Sequence, residues 1–327
     1  MNIVYLIGNG FDLNLGMRTR YNDFYHYLFK LEEKVISHIA DLKRNIEDNR
    51  DNWSDLELAL GGYVGGINAA AAIELHDHLL KHLSEYLTLE ESKCAFSERQ
   101  RRLLFEYLKS PHLGGRLLQN EANTIANYLS SPVESWNIKI MTFNYTKTIE
   151  LLSGYNNASI AIDRTISLAG VEHIHGFTDK RMILGVNDIS QIANNELHKE
   201  TAIIDRYVKS ECNSTYGLEH DVKCQRWISQ ANLVCLFGLS FGNTDKKWWE
   251  LIGEALKGGC RIIIFEYAPK MIFNGNQGPA LKAAKEEIKE FFLSKTTLDE
   301  GGKSRARNKI FIALNTDMFR FEIPPKV

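Results

Sequence analysis

Five cysteines, Cys94, Cys212, Cys224, Cys235 and Cys260, are scattered over 327 residues without a single Cys-x-x-Cys pair. That spacing argues against a structural zinc site, and an odd count gives no closed disulfide framework. Cys235 and Cys260 fall inside apolar runs, where cysteine behaves as a small buried hydrophobe. Excess charge is missing too: 39 Lys and Arg face 41 Asp and Glu, a net of −2, so the strongly positive balance of a nucleic-acid binder is absent. Two basic clusters, Arg99, Arg101 and Arg102, and the stretch from Lys303 to Lys309, read as solvated surface. No apolar stretch reaches the roughly eighteen residues that a membrane helix needs. The N-terminus opens on a strand rather than on a signal peptide, so a cytoplasmic protein in a reducing compartment, without a membrane partner, is expected. There is no repeat and no low-complexity segment.

What is present is a series of short runs rich in Val, Ile and Phe: "NIVYLI" (2–7), "IKIMTF" (138–143), "VEHI" (171–174), "RMILGV" (181–186), "NLVCLF" (232–237), "CRIIIFEY" (260–267) and "KIFIAL" (309–314). Several are apolar throughout instead of alternating, the pattern of strands covered on both faces. Helical patterns from Gln191 to Ser210, Leu218 to Gln230, Asp245 to Lys257 and Ala280 to Phe292 lie between the later runs. This alternation predicts an α/β fold with a Rossmann-like, mostly parallel sheet and helices on both faces. Between Tyr25 and Glu134 there is no convincing strand, and apolar residues recur at helical spacing. The expected organisation is a core formed by residues 1–24 and 135–327, with a helical insertion over 25–134 packed as a cap above one end of the sheet.

In an open parallel sheet, ligands bind beyond the carboxyl ends of the strands. Five successive predicted strand ends are followed by small or polar residues: Gly8-Asn9-Gly10-Phe11-Asp12, Asn144-Tyr145-Thr146, His175-Gly176, Asn187-Asp188, and Gly238-Leu239-Ser240-Phe241-Gly242-Asn243-Thr244-Asp245. Residues without a Cβ at positions 8 and 10 would let the backbone approach a diphosphate and offer it N–H groups. The string is not the dinucleotide fingerprint Gly-x-Gly-x-x-Gly, because Leu13 stands at the third glycine's place. Asp12 is awkward beside a phosphate; it would bond a ribose hydroxyl, cap the following turn or position water. In "HIHG" (173–176), strand alternation would send His173 and His175 to the same side, and Gly176 would leave space beside His175 for a ligand. An amide at Asn144 that fixes a ribose hydroxyl or water, next to an imidazole that accepts a proton near neutral pH, suits cleavage of a glycosidic bond. In "WSDLE" (53–57), Ser54 and Glu57 would form a capping box with Trp53 as a hydrophobic staple; alternatively Glu57 or Trp53 reaches down over the ligand.

These strings resemble a known set. "LIGNGFDLNLG", "WSDLE", "TFNYTKT" (142–148), "HIHG", "LGVND" (184–188) and "GLSFGNTDKKWW" (238–249) look like the AbiH family, named for bacteriophage abortive infection, in order over nearly the whole chain. More remotely the chain is similar to the sirtuin-like NAD-binding superfamily. There Gly8 to Asp12 and Gly16 would match a Gly-Ala-Gly-hydrophobe-Ser run and its later glycine. Asn144 would match the Asn of the Thr-Gln-Asn-Ile-Asp motif, His175 the catalytic His before Gly, and Gly238-Leu239-Ser240 a Gly-Thr-Ser. The sirtuin zinc ribbon is absent and Thr146 replaces the motif's Asp, which points away from protein deacylation. The resemblance implies a defence protein that hydrolyses NAD, its substrate, to nicotinamide and ADP-ribose, with no zinc. Asn144 and His175 would be catalytic; Gly8, Asn9, Gly10, Phe11, Asp12, Asn187, Gly238, Ser240 and Asn243 would bind the nucleotide. A phage-derived trigger and a homo-oligomer are the implied partners. Two other readings stay open: a sensor of NAD or ADP-ribose without turnover, and a nuclease-type toxin whose Asp12, Asp188, Asp245 and Glu57 hold a divalent metal.

Overall fold

The computed structural model describes residues 1–31, 37–113, 116–130, 135–178, 180–215, 220–269 and 278–321. Within these, seven strands form one sheet: β1 (Asn2–Ile7), β2 (Trp136–Thr142), β3 (Ile160–Ala161), β4 (Ile166–His173), β5 (Leu233–Phe237), β6 (Arg261–Glu266) and β7 (Ile310–Leu314). Their order is β3-β4-β2-β1-β5-β6-β7. Every pairing is parallel except that of β3, which runs antiparallel along β4 at one edge. The α/β class and mostly parallel sheet are as the runs predicted. The two-residue β3 is too short to leave a periodic signal.

The strands read as uninterrupted apolar runs because both faces are buried. Ile3, Tyr5 and Ile7 of β1 join a core with Leu104, Leu108, Ile125 and Leu129 on one face. Val4 and Leu6, pointing the other way, join Trp227, Ile228, Trp249, Ile252 and Phe292 on the second. Each such side chain removed from water contributes about 1.5–3 kcal/mol.

A third core lies apart from both sheet faces. It gathers Phe24, Tyr25, Leu42, Trp53, Leu60, Leu75 and Leu79 with Met182, Leu184, Val186, Ile203 and Tyr207. The packing therefore divides the chain differently from a cap over 25–134. The helices Glu98–Lys109 and Gln119–Leu129 lie on the sheet, whereas residues 182–208 pack with the helices Tyr21–Phe29, Ser37–Asp48, Leu56–Tyr63 and Ala69–Glu91.

This third core also explains where "RMILGV" departs from expectation. It is not a sheet strand: Ile183 N–H bonds the His175 carbonyl (2.8 Å), and Val186 makes an isolated bridge to Val208. Its residues are apolar because Met182, Leu184 and Val186 face the third core. The pattern Gln191–Ser210 is likewise broken. Single 3-10 turns at Ile189–Gln191 and Leu197–Lys199 precede the short helices Thr201–Tyr207 and Lys209–Thr215. The next predicted helix is seen as His220–Ser229, positions 218 and 219 lying outside the described residues. The basic stretch from Lys303 to Lys309 falls mostly in a helix, Glu300–Arg307, which charge alone did not reveal. Among the described residues no helix is long and apolar enough to cross a membrane.

Candidate functional site

The chain leaves β1 toward β2 on one side of the sheet and β5 toward β6 on the other. The carboxyl ends of β1 and β5 therefore flank a topological switch point, where ligands of open α/β sheets bind. The two strand ends meet through glycine. A Cβ on Gly8 would lie 2.5 Å from the Gly238 carbonyl oxygen, and one on Gly10 2.5 Å from Gly238 Cα. Gly238 itself has φ +66°. The N–H of Gly8 donates to Phe237 O (2.9 Å) and that of Gly10 to Gly238 O (3.2 Å). Both donors read as a diphosphate cradle are thus engaged with β5, and the visible reason for the glycines is the close passage of two backbones. Asn9 braces the following loop, donating to Thr19 O at 2.9 Å and accepting from the Thr19 hydroxyl. Phe11 is fully buried, edge-on to Phe319 and Phe321, and so is a core residue.

Asp12 is only 1 % exposed. Its two oxygens accept from Thr146 Oγ1 (2.6 Å) and Thr148 Oγ1 (2.7 Å), which ties the end of β1 to the loop after β2. Burial pushes its pKa up to about 6, against the opposing pull of Thr146, Thr148 and Asn144. The Asn144 side chain lies near enough to favour the ionised form. Its Nδ2 is buried, yet no described residue lies in hydrogen-bond geometry with it.

His173 and His175 part company. β4 ends at His173, whose Nδ1 meets the Asn144 carbonyl (2.9 Å) and whose Nε2 meets Glu150 Oε1 (2.8 Å). Burial opposes the His173 imidazolium, but Glu150 outweighs it and the pKa is raised. His175 turns elsewhere: Nε2 lies 2.9 Å from Asp245 Oδ1, with the ring edge-on to Phe143. Its contacts with Asp245 and Lys209 are both made through Nε2. The space expected beside Gly176 is filled, since a Cβ there would lie 1.9 Å from Arg181 O.

Around the His175–Asp245 pair stands a buried ionic network that the sequence did not announce. Lys209 Nζ donates to Asp245 Oδ1 (2.9 Å), Glu57 Oε2 (2.7 Å) and Thr244 O (3.1 Å), and lies 3.5 Å from His175 Nε2. Burial works against the Asp245 carboxylate, but the Lys209 ammonium and then His175 hold its pKa well below the usual range. Burial also disfavours the Lys209 ammonium, and Asp245 with Glu57 reverses this and raises its pKa. For Glu57, burial prevails over Lys209 and the pKa rises. The Tyr145 hydroxyl faces Glu57 Oε1 (3.0 Å) and Ile183 O (2.9 Å).

Glu57 reaches this network because the "WSDLE" capping box does not form. Asp55, not Ser54, caps the helix Leu56–Tyr63, accepting from Leu58 N at 3.1 Å. That leaves Glu57 free to point inward, while Trp53 packs in the third core and donates to Asn45 Oδ1. The remaining candidates lie around the rim. Ser240 and Asn243 are exposed, Asn243 accepting from Lys295 (3.0 Å). Asn187 is half-buried, and Asp188 caps the turn at Ser190 N (2.9 Å). The four acids considered as a metal set do not converge: Lys209 bridges Glu57 and Asp245, two threonines hold Asp12, and Asp188 caps a turn. Among the described residues no group of three or more His, Cys, Asp or Glu is placed to hold a metal.

The arrangement offers an oriented imidazole, a buried amide without a well-formed hydrogen bond and a protonatable carboxylate at the sheet's carboxyl edge, all enclosed. Two cavities of about 480 and 520 Å³ lie elsewhere, against Asn68 and Asn194 and against Trp53 and Tyr63. Comparison with curated proteins returns no match. A family model described as bacteriophage abortive infection AbiH matches residues 4–267, a span running from β1 through β6 that contains every residue of the site, and the chain belongs to that family.

Proposed function

We propose that the chain serves abortive infection by hydrolysing NAD to nicotinamide and ADP-ribose at the carboxyl ends of β1, β2, β4 and β5. One observation carries this reading: the buried Nδ2 of Asn144, which lies beside Asp12 at the switch point but makes no well-formed hydrogen bond. A buried donor left unpaired costs about 1–3 kcal/mol, and a ribose hydroxyl or a positioned water supplies the acceptor it lacks. The C1′–N bond breaks with its electron pair leaving on nicotinamide, a neutral base that needs no strong acid. Water then attacks the ribosyl oxocarbenium and gives its proton to His175.

His175 is equipped for that step. With Asp245 ionised and 2.9 Å from Nε2, the Nε2–H tautomer is favoured and Nδ1 keeps its lone pair, as in other acid-oriented imidazole bases. General-base assistance of this kind contributes about a hundred- to ten-thousand-fold in rate. Because the Gly8 and Gly10 N–H groups are engaged and both ends of the Asn9 amide are held by Thr19, the diphosphate and adenosine side falls to Asn187, Ser240 and Asn243.

The test is cellular NAD during phage challenge in bacteria expressing wild type, Asn144→Ala or His175→Ala, followed by nicotinamide release from purified protein. NAD should fall with wild type alone. Stable NAD during a challenge that still arrests growth would sink the reading. A nucleotide sensor without turnover is the second reading, favoured by the 3.5 Å approach of Lys209 to His175; tight NAD or ADP-ribose binding without product would select it.

A further inference from the structure

The strongest unexplained group is Lys209. The residue is 7 % exposed, and its ammonium is held by two carboxylates and touches the one ring nitrogen of His175 that Asp245 already engages. Among the described residues no other lysine or arginine stands this close to either carboxylate, and the second partner of Asp245 is His175 at 2.9 Å. Glu57 belongs to a helix of the third core, whereas Asp245 stands at the start of the helix Lys246–Lys257, which packs on the sheet. Lys209 therefore spans the seam between the third core and the sheet end.

The segment that brings Lys209 there is not part of the sheet. Lys209 N–H donates to Val186 O (3.0 Å), Val186 N–H to Tyr207 O (2.7 Å), and the Tyr207 hydroxyl to Ala72 O (2.8 Å). Tyr207 and Val208 are anchored in the third core, so movement of that core relative to the sheet end would draw the ammonium away from Asp245.

We propose that Lys209 is an autoinhibitory contact: between Glu57 and Asp245, beside His175, its ammonium occupies the place that receives the positively charged nicotinamide-ribose end of the substrate. The inference rests on the NAD reading for the identity of that substrate. The chemistry it requires is more general: a pocket of two carboxylates that accepts an organic cation once the chain's own cation is withdrawn. Removing the lysine leaves two buried carboxylates short of a counter-charge, a costly state that a diffusible cation relieves.

The probe is the 1-methylnicotinamide cation, with uncharged nicotinamide as its control, titrated calorimetrically into wild type, Lys209→Met and Lys209→Gln. Lys209→Gln keeps two N–H donors for the carboxylates and guards against a folding failure. Both variants should bind the cation at least about tenfold more tightly than wild type and show no such gain for nicotinamide. Lys209→Met/Glu57→Gln, with one carboxylate neutralised, should lose most of the gain. If either single variant unfolds, millimolar cation should restore its melting transition. No gain in a folded variant, equal gain for nicotinamide, or no rescue of an unfolded one would overturn the proposal. Cation binding with no NAD turnover in any variant would instead retain the contact and discard NAD hydrolysis.

Discussion

Gly10 and Gly238 pass so closely that a methyl group on either would stand within 2.6 Å of the other's Cα. Their contact welds the carboxyl ends of β1 and β5 at the switch point. Neither obstacle is the movable tip of a side chain; each is backbone.

Alanine at either position should therefore destabilise the fold by about 2 kcal/mol or more. Gly238→Ala should be the worse, because φ +66° adds about 1 kcal/mol of left-handed strain. Gly62→Ala is the internal control. It lies in the helix Leu56–Tyr63 with nothing within 4 Å of its added Cβ, and should stabilise by about 0.5–1 kcal/mol. Urea denaturation of the three variants checks the order, and a neutral Gly10→Ala would contradict the backbone contact.

That contact also marks how far the sequence could be read. Gly8 and Gly10 stood out because glycine at a strand end always has a reason, but one sequence does not distinguish close approach to a phosphate from close approach to another strand. The strands were legible because burial on both faces makes them apolar throughout, as in "LVCLF" of β5. The same rule failed for "RMILGV", where the covering layer is a third core built from distant helices. His175 and Asn144 were singled out from their places at strand ends. Lys209 was not, since a lysine in "RYVKSEC" looks like any solvated helix residue. Its partner Glu57 is 152 positions away, and no local pattern encodes such a pairing.

The Tyr145 hydroxyl has one proton and two acceptors, Glu57 Oε1 and Ile183 O, at 3.0 and 2.9 Å. Tyr145→Phe leaves at least one buried acceptor without a donor. The expected loss is about 1–3 kcal/mol, measured by chemical denaturation at neutral pH. A change within about 0.5 kcal/mol, the range of ordinary surface substitutions, would mean that Glu57 relies on Lys209 alone.

Asp12 makes stability depend on pH in the direction opposite to that of a paired carboxylate. Its pKa is raised by burial from an ordinary 3.8 to about 6, so between those values the folded chain holds a proton that the unfolded chain has released. Its contribution therefore becomes less favourable as pH rises from about 4 to about 6 and is level above that. In Asp12→Asn this term is absent. The stability of the variant relative to wild type should improve by on the order of 3 kcal/mol between pH 4 and pH 7. Denaturation curves at several pH values test it, and a constant difference would show that folding leaves the Asp12 pKa unchanged.

Asp245 fixes which nitrogen of His175 carries the proton. With the carboxylate 2.9 Å from Nε2, the neutral ring should be the Nε2–H tautomer, visible in nitrogen-15 spectra as a protonated Nε2 and an unprotonated Nδ1. Asp245→Asn offers an amide in place of the carboxylate that orients the ring. Under the proposed mechanism, in which Asp245 acts through His175 on the proton-transfer step, NAD hydrolysis should fall by about a hundred- to ten-thousand-fold, mainly in kcat. A KM effect alone would make Asp245 a binding residue. A wild-type ring protonated on Nδ1 would remove the lone pair that the proposed water attack requires, and the role of base in that mechanism would pass to Asp12.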